Sequence, residues 1–530
     1  MKRVLVFLIA LAGASSLVLS QAQPVTFNPN MLTYSQGLPN DLLIFAPDTA
    51  VRILFNPARA VSFGRSFVYT NYLPSSSGPV TIVQANSLSG SSGLYVPTPS
   101  GPTISFAALF NNDASPWLLQ FSNWVYRYSN EAASDQITLP ASGMPLNAPN
   151  NNSSLSSGSL TALKLSKIGT TSGGSYSLGV FGIIFPENTA TDYVSTTDPY
   201  GNTSSNPSIV THQSYSSQTH TPSASSKYEL GVEYSAAGTD WDFIGSVSFE
   251  KNVAKSSTTY LYDYEYSYMS PTDTSSDGNS THIASSKDNE PSIVGLHLYY
   301  QHAASLITPE DHFFISPYFY YSGETMSYSQ SGYQYSWYRD LSAAPSGDTS
   351  QARESLSQNA HDWGSQVSFG YVVTQRLQDI EIVAALNPLV GYDDFNDINS
   401  LYYVPYYSSQ NGLPYTYPLN RHRIFSAVVQ IPIYVDYTPV GWSSVFGGLN
   451  YRYSYLHEKL SSSFPLEQDI LPVQGSTLRS GSGTASMLNS SSTVFAGVEL
   501  RHASGLQTQI SFRGNLANYS YWNISLGYVY

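Results

Sequence analysis

The chain contains no cysteine, which excludes disulfide frameworks, thiol nucleophiles and thiolate metal sites. Charge is scarce as well: 11% of residues are Asp, Glu, Lys or Arg, where an ordinary soluble domain carries about 25%. Basic residues are the rarer sign, 22 Lys and Arg against 36 Asp and Glu, for a formal charge of -14. No basic run is present to grip phosphates, so nucleic acid is not expected as a partner. Past the N-terminus no stretch of 18 apolar residues occurs, so no helical membrane span is available.

One apolar run does exist, at the start. Lys2 and Arg3 precede VLVFLIALAGASSLVL, and Ser20-Gln21-Ala22 supplies small residues at the two positions a signal peptidase reads. Residues 1–22 are therefore expected to be a signal peptide. The exported chain is then either soluble or a barrel.

Aromatic residues make up 14% of the chain, and 43 residues are tyrosine. Tyrosine in such excess fits aromatic girdles at two membrane interfaces. The period of the apolar residues agrees with this. In YWNISLGYVY, Trp522, Ile524, Leu526, Tyr528 and Tyr530 fall on one face and Asn523, Ser525, Gly527 and Val529 on the other. LQTQISFRGN sets Leu506, Thr508, Ile510 and Phe512 against Gln507, Gln509, Ser511, Arg513 and Asn515; TVFAGVELRH and VVQIPIYVDY repeat the pattern. An apolar outer face with a polar inner one is the signature of a membrane barrel strand. A bulge is expected at Pro432, which cannot donate to the ladder.

The same alternation predicts strands near 64–73, 103–111, 117–127, 159–167, 176–186, 227–236, 241–251, 291–302, 312–322, 362–374, 379–390, 424–437, 444–456, 493–502, 505–515 and 520–530. The predicted fold is an all-β transmembrane antiparallel barrel of about 16 strands, within a range of about 14–18. Tight connections such as AAGTDW and TPVGW alternate with long Ser, Gly, Tyr and Asn-rich loops, 187–226, 252–290, 323–361 and 457–492. Short turns at one rim and long loops at the other match bacterial outer-membrane barrels, the expected location. The terminal strand should close the cylinder against the first one, because an open edge is forbidden in lipid. Such a strand, ending on an aromatic, also resembles the end that the bacterial barrel-assembly machinery recognises. A large secreted sandwich or solenoid is the soluble alternative.

Residues 23–63 precede the barrel, expected over 64–530. They contain MLTYSQGLPNDLLIFAPDTAVRILFNPARA, with Asn56, Pro57 and Ala58 in sequence. This stretch resembles long-chain fatty-acid transporters of the FadL type and related barrels, in which a short N-terminal region bearing Asn-Pro-Ala plugs the lumen. The family usually continues with glycine where Arg59 stands here, and its upstream glycine-rich run is missing. The resemblance implies a plug, with small solutes, hydrophobic ones among them, as cargo. Physically, Pro57 holds Asn56 extended and bends the segment away from any strand partner. The apolar patch Leu42, Leu43, Ile44 and Phe45 needs cover. A plain periplasmic lead-in with a proline bend is the alternative.

Inward charge is uneven. Glu229, Glu233, Asp242 and Glu250 lie on one wall and Arg452, Arg501 and Arg513 on the opposite one, interrupted by Glu499, with Glu381 and Asp436 between. Opposed walls would make a porin-type constriction; local ion pairs are the alternative. His361-Asp362 and Asp311-His312 cannot be catalytic pairs, since adjacent strand residues face opposite ways, and no nucleophile elbow is present. Asp393, Asp394 and Asp397 in GYDDFNDIN are placed in a solvated loop, without EF-hand spacing. No enzyme, cofactor or dedicated metal is expected; the expected partners are outer-membrane lipid and lipopolysaccharide, the assembly machinery and a small solute. Two functions stay open, a transport channel or porin, and a structural or adhesive barrel acting through its loops.

Overall fold

The computed structural model describes residues 44–45, 49–73, 103–111, 116–134, 150–197, 200–201, 210–270, 273–340, 346–398, 419–463, 482–515 and 518–530. Residues 1–22, Leu42 and Leu43 lie outside them.

Sixteen strands form one closed antiparallel barrel. They are β1 (Phe67–Leu73), β2 (Thr103–Phe110), β3 (Trp117–Ser134), β4 (Asn150–Thr171), β5 (Gly174–Thr197), β6 (Val210–Ala237), β7 (Trp241–Ser270) and β8 (Asp273–Asn289 with Ser292–Ala303). The circuit continues through β9 (His312–Asp340), β10 (Ser346–Leu377), β11 (Ile380–Ile398), β12 (Leu419–Val440), β13 (Ser443–Ser463), β14 (Ser482–Arg501), β15 (Leu506–Asn515) and β16 (Asn518–Val529). The two pieces of β8 are one strand, because both pair with β7 and β9 in one continuous register. A short Tyr200–Gly201 piece pairs with β6 beyond the end of β5.

The seam is made by β1 and β16. Phe67 faces Val529, Tyr69 faces Gly527 and Tyr72 faces Ile524, and the other edge of β1 pairs with β2. Ser66 and Tyr530 exchange backbone hydrogen bonds of 3.1 and 3.0 Å just outside the strand. The β14–β15 turn approaches β16 so closely that a Cβ on Gly505 would sit 2.0 Å from the Val529 carbonyl, and its φ of +94° also requires glycine.

Alternation decides which residues meet lipid. Leu178, Val180, Leu230, Val232, Val247, Phe249, Val445, Val498, Ile510, Phe512, Leu526, Tyr528 and Tyr530 are exposed on the outer face. Their neighbours Glu229, Glu233, Phe495, Glu499, Gln509 and Ser511 are buried inward. An apolar belt of this extent around a closed barrel would not be tolerated in water. Ile524 is half-buried; Trp522 and Arg513 hold their places in the β15–β16 ladder, opposite Phe512 and Tyr521, but their side chains lie outside what is described.

Two expectations need correction. The stretches 187–226, 252–290 and 323–361 are not loops for most of their length: β6, β7, β9 and β10 run for 28, 30, 29 and 32 residues and carry the hairpins onward as paired strands. Crossing a bilayer takes about 9–11 tilted residues, so a sheet rises well above the membrane over β6–β10 while β1, β2 and β15 stay short. The tyrosine and threonine of these stretches favour strand, and the serines between them do not prevent pairing. Second, Pro432 makes no bulge. It faces Asn450 in unbroken register with β13, and toward β11 the ladder skips the pairs at Ala385 and Leu386 and resumes in the same register.

Height as well as face should set the cost of a charge. Leu230, on the outer face of β6, and Leu306, in the short β8–β9 turn, are 69% and 71% exposed. Leu230→Arg should lose about 2–4 kcal/mol of assembly free energy and abolish the heat-modifiable band on a denaturing gel, while Leu306→Arg keeps it; equal behaviour of the two would contradict the lipid-facing assignment.

Candidate functional site

The short segment before β1 enters the barrel at its short-turn end. It comprises helix α1 (Thr49–Phe55), one 3-10 turn (Pro57–Arg59) and helix α2 (Ala60–Phe63). Five of the seven α1 residues are buried, Ala50, Val51, Ile53, Leu54 and Phe55, so apart from Thr49 and Arg52 this helix is apolar, as suits an enclosed helix. Ala50, Ile53 and Leu54 pack on Phe67, Tyr69, Ala107, Leu109, Leu118 and Ile168 of β1–β4. Ile44, Phe45, Val51 and Phe55 pack on the far wall, among Ile244, Tyr299, Phe314, Val372, Val383, Tyr434 and Phe495 of β7–β14. The segment thus touches the inner wall on both sides.

Aromatic rings build that far wall. Phe55 meets Tyr299 edge-on at 5.1 Å, Tyr299 stacks on Phe314 at 5.8 Å, and Tyr434 stacks on Phe495 at 5.7 Å. Glycines on adjacent strands make room for them. A Cβ at Gly370, Gly448 or Gly497 would come within 2.5 Å of Phe314, Phe495 or Phe446 respectively.

Asn56, Pro57 and Ala58 sit where the segment turns. All three are buried. The Asn56 side-chain oxygen accepts from Ala58 N at 3.1 Å and caps the 3-10 turn, with Pro57 in the first turn position where a missing N–H costs nothing. Asn56 Nδ2 donates to the Ala236 carbonyl at 3.2 Å and to Asp242 Oδ1 at 2.6 Å, and Ser175 Oγ donates to the Ala58 carbonyl at 2.7 Å. Arg59 forks onto Asp242, Nε to Oδ1 at 2.7 Å and Nη2 to Oδ2 at 2.6 Å, and Gln301 donates to the same carboxylate. Burial alone would lower the Arg59 pKa, yet the Asp242 carboxylate outweighs it and the guanidinium is held above its usual value. The Gln120 amide donates to the Leu54 carbonyl at 2.8 Å, and Arg52 lies 3.8 Å from Glu381 on β11.

The inward charges do not stand as two opposed walls. Glu233 pairs with Lys164 at 2.5 Å, Glu250 with Lys227 at 2.7 Å and Asp242 with Arg59. Glu229 faces Glu250 across the β6–β7 ladder. Arg501 forks onto Glu499, two residues away on its own strand, at 2.8 and 3.1 Å. Arg452 sits inward on β13, directly opposite Gln430 of β12 and Ser491 of β14. The lysines were overlooked in the sequence although Lys164 stands between Leu163 and Leu165, an inward position in an alternating strand.

The remaining candidates are also placed. Asp393 and Asp394 are strand residues of β11, not loop residues: Asp393 accepts from Tyr320 OH at 3.0 Å, and Asp394 accepts a two-pronged contact from Arg421 on the other face. Asp397 lies in the same strand with its side chain outside what is described. His361 stacks on Tyr321 at 5.9 Å while the adjacent Asp362 is buried. Asp311 accepts from the backbone of Ile307 and Thr308, from the Thr308 hydroxyl and from Tyr371 OH. Burial would raise its pKa, but these donors together hold the carboxyl below its usual value. Its work is to tie the β8–β9 turn.

No protein-family model and no curated protein matches this chain. Solved structures do show likenesses. The P. putida toluene transporter TodX is 12% identical over 93% of this chain and 92% of its own, with a TM-score of 0.30. The Ralstonia pickettii toluene transporter TbuX is 10% identical over 90% and 92%, with a TM-score of 0.23. The ferric yersiniabactin uptake receptor FyuA from Yersinia pestis is 9% identical over 88% and 80%, with a TM-score of 0.21. Likenesses at these scores carry no argument about solute or mechanism.

Removing the Asp242 carboxylate leaves Arg59 and Asn56 without their shared acceptor. Breaking a buried charge pair costs on the order of 2–5 kcal/mol, and the lower end applies because Arg59 keeps some contact with water. Asp242→Ala should therefore raise amide hydrogen exchange over residues 49–63 by about tenfold or more and leave β11–β14 unchanged. Unaltered exchange in 49–63 would mean that apolar packing alone holds the segment.

Proposed function

We propose that this chain is a bacterial outer-membrane channel or transporter for small, largely apolar solutes, obstructed at its short-turn end by residues 44–63. One observation carries the reading: α1 packs against inner residues of β1–β4 on one side and β7–β14 on the other. A barrel of about 16 strands is wide enough to hold water unless something fills it. The segment fills it at the level of the aromatic wall, and Asp242 is its main polar anchor.

The lining suits an apolar cargo at that level and a polar path above it. Next to the aromatic wall lie His297 hydrogen-bonded to Ser316 at 3.0 Å, Ser368 donating to Asn387 at 2.7 Å, then Gln430 and Arg452 in register beyond. A general porin filtering by opposed charges is the weaker reading, because Glu233, Glu250, Asp242 and Glu499 each have a cation in contact. A structural or adhesive barrel is supported by the strands of up to 32 residues that rise from β6–β10. Insertion by the barrel-assembly machinery and a lipopolysaccharide surround accompany the outer-membrane reading; no cofactor is called for.

The test is single-channel conductance in a planar bilayer with and without residues 24–60. Deletion should raise conductance severalfold, and a monoaromatic or alkyl solute should slow proteolysis of the segment in the intact chain. Unchanged conductance would favour an open porin.

A further inference from the structure

Cations are few in this chain, 22 Lys and Arg in 530 residues, and three of them meet at one spot on the outer surface. Arg421 and Arg423 lie on β12, and Lys459 faces Arg423 directly across the β12–β13 ladder. All three lie on the outer side of their strands, and Lys459 is exposed. The Arg421 and Arg423 side chains are 47% and 42% exposed. Like charges opposite one another destabilise a ladder. Asp394 on β11 offsets part of this: Arg421 reaches it with Nε and Nη2, both at 2.7 Å, and Arg423 Nε lies 3.5 Å away. Three cations on one carboxylate leave an excess of positive charge at the spot, on an acidic protein.

Its height is informative. Along β12 the outward positions from Tyr437 to Phe425 are Tyr437, Val435, Ile433, Ile431, Val429, Ala427 and Phe425, and the next two are Arg423 and Arg421. Twelve residues of strand span about 40 Å, which at a tilt of about 45° gives about 28 Å of height, close to the apolar band of an outer-membrane barrel. The arginines therefore stand at the first positions above the hydrocarbon, on the long-hairpin side. An aromatic pair marks the same level, Trp363 against Tyr392 at 5.1 Å.

We propose that Arg421, Arg423 and Lys459 form a binding site for the phosphate of a phosphorylated glycolipid of the outer leaflet, the acyl chains lying down the apolar strip of β11–β13. The guanidinium fork suits phosphate geometry, and Asp394 holds Arg421 extended along the wall with donors still free for a ligand. A phosphate there offsets the Arg423–Lys459 repulsion. The proposal rests on the outer-membrane reading, and the test separates the two. Full-length protein in mild detergent is titrated with bisphosphorylated lipid A, dephosphorylated lipid A and phosphatidylglycerol, with bound lipid read by native mass spectrometry. The intact chain should bind the bisphosphorylated lipid at least tenfold more tightly than the other two. The Arg421→Ala, Arg423→Ala, Lys459→Ala triple variant should lose that margin, and the milder Arg423→Gln, Lys459→Gln pair, used if the triple variant no longer migrates as a folded barrel, should lose about fivefold. Undiminished binding by the variants, or equal affinity for phosphatidylglycerol, would overturn the site. Failure of the unaltered chain to float with phospholipid vesicles would overturn the membrane reading, and the site with it.

Discussion

A backbone N–H within lipid has no water to turn to, so every strand inside the band must be paired on both edges. That constraint bears hardest on β1, the shortest strand of the circuit at seven residues. It supplies the closing edge for β16 while pairing with β2 on its other side. So short a ladder contributes few cross-strand contacts of its own. Its inward side chains make up the difference: Phe67 and Tyr69 join Ala50, Ile53 and Leu54 in one apolar cluster. Closure of the barrel and docking of the N-terminal segment thereby share residues, and Gly64 links them, turning the chain from α2 toward β1 with a left-handed φ of 66°.

Inside the wall, charge is handled pair by pair. A carboxylate taken from water needs a cation or several donors close by, and the inner face supplies them within one or two strands: Lys164 for Glu233, Lys227 for Glu250, Arg501 for Glu499. Local pairing cancels the field that opposed acidic and basic walls would have produced across the lumen. What remains is a short-range pattern of dipoles, which orders the wall more than it sorts solutes by sign.

The number of strands, the short-turn rim and the inward or outward face of most strand residues were legible in the sequence, because an alternation of period two is a local property of each strand. Leu526 and Phe512 outward, Gln509 and Ser511 inward, need no knowledge of neighbours. Strand length was not legible, since Ser and Tyr-rich stretches such as 323–338 and 346–361 lack the aliphatic alternation of the membrane strands and yet pair in continuous register. Asp393 and Asp394 were misplaced for the same reason. The site was legible only in outline. Asn56, Pro57 and Ala58 stand out as a turn, but their partners lie 117 to 186 residues away, in Ser175, Ala236 and Asp242. Nor did Arg421, Arg423 and Lys459 read as a cluster, because β12 and β13 are joined by a turn at the other end and only their ladder brings the three together.

Arg59, which stands where the resembling family has glycine, shows what that distance implies. Asp242 is fully buried and takes donors from Asn56, from both arms of Arg59 and from Gln301. A carboxylate so enclosed cannot lose these donors one at a time at low cost, because each loss leaves charge facing protein instead of water. Withdrawal of α1 must therefore admit water to Asp242 as it breaks the fork, and apolar contacts on both walls part in the same movement. Gradual sliding is the costly route; a switch between docked and hydrated states is the cheaper one. A glycine at position 59 would leave Asp242 with Asn56 and Gln301 as donors but without the guanidinium fork, and the segment held by packing and single hydrogen bonds. The arginine ties any displacement of α1 to the loss of both arms of the fork on Asp242.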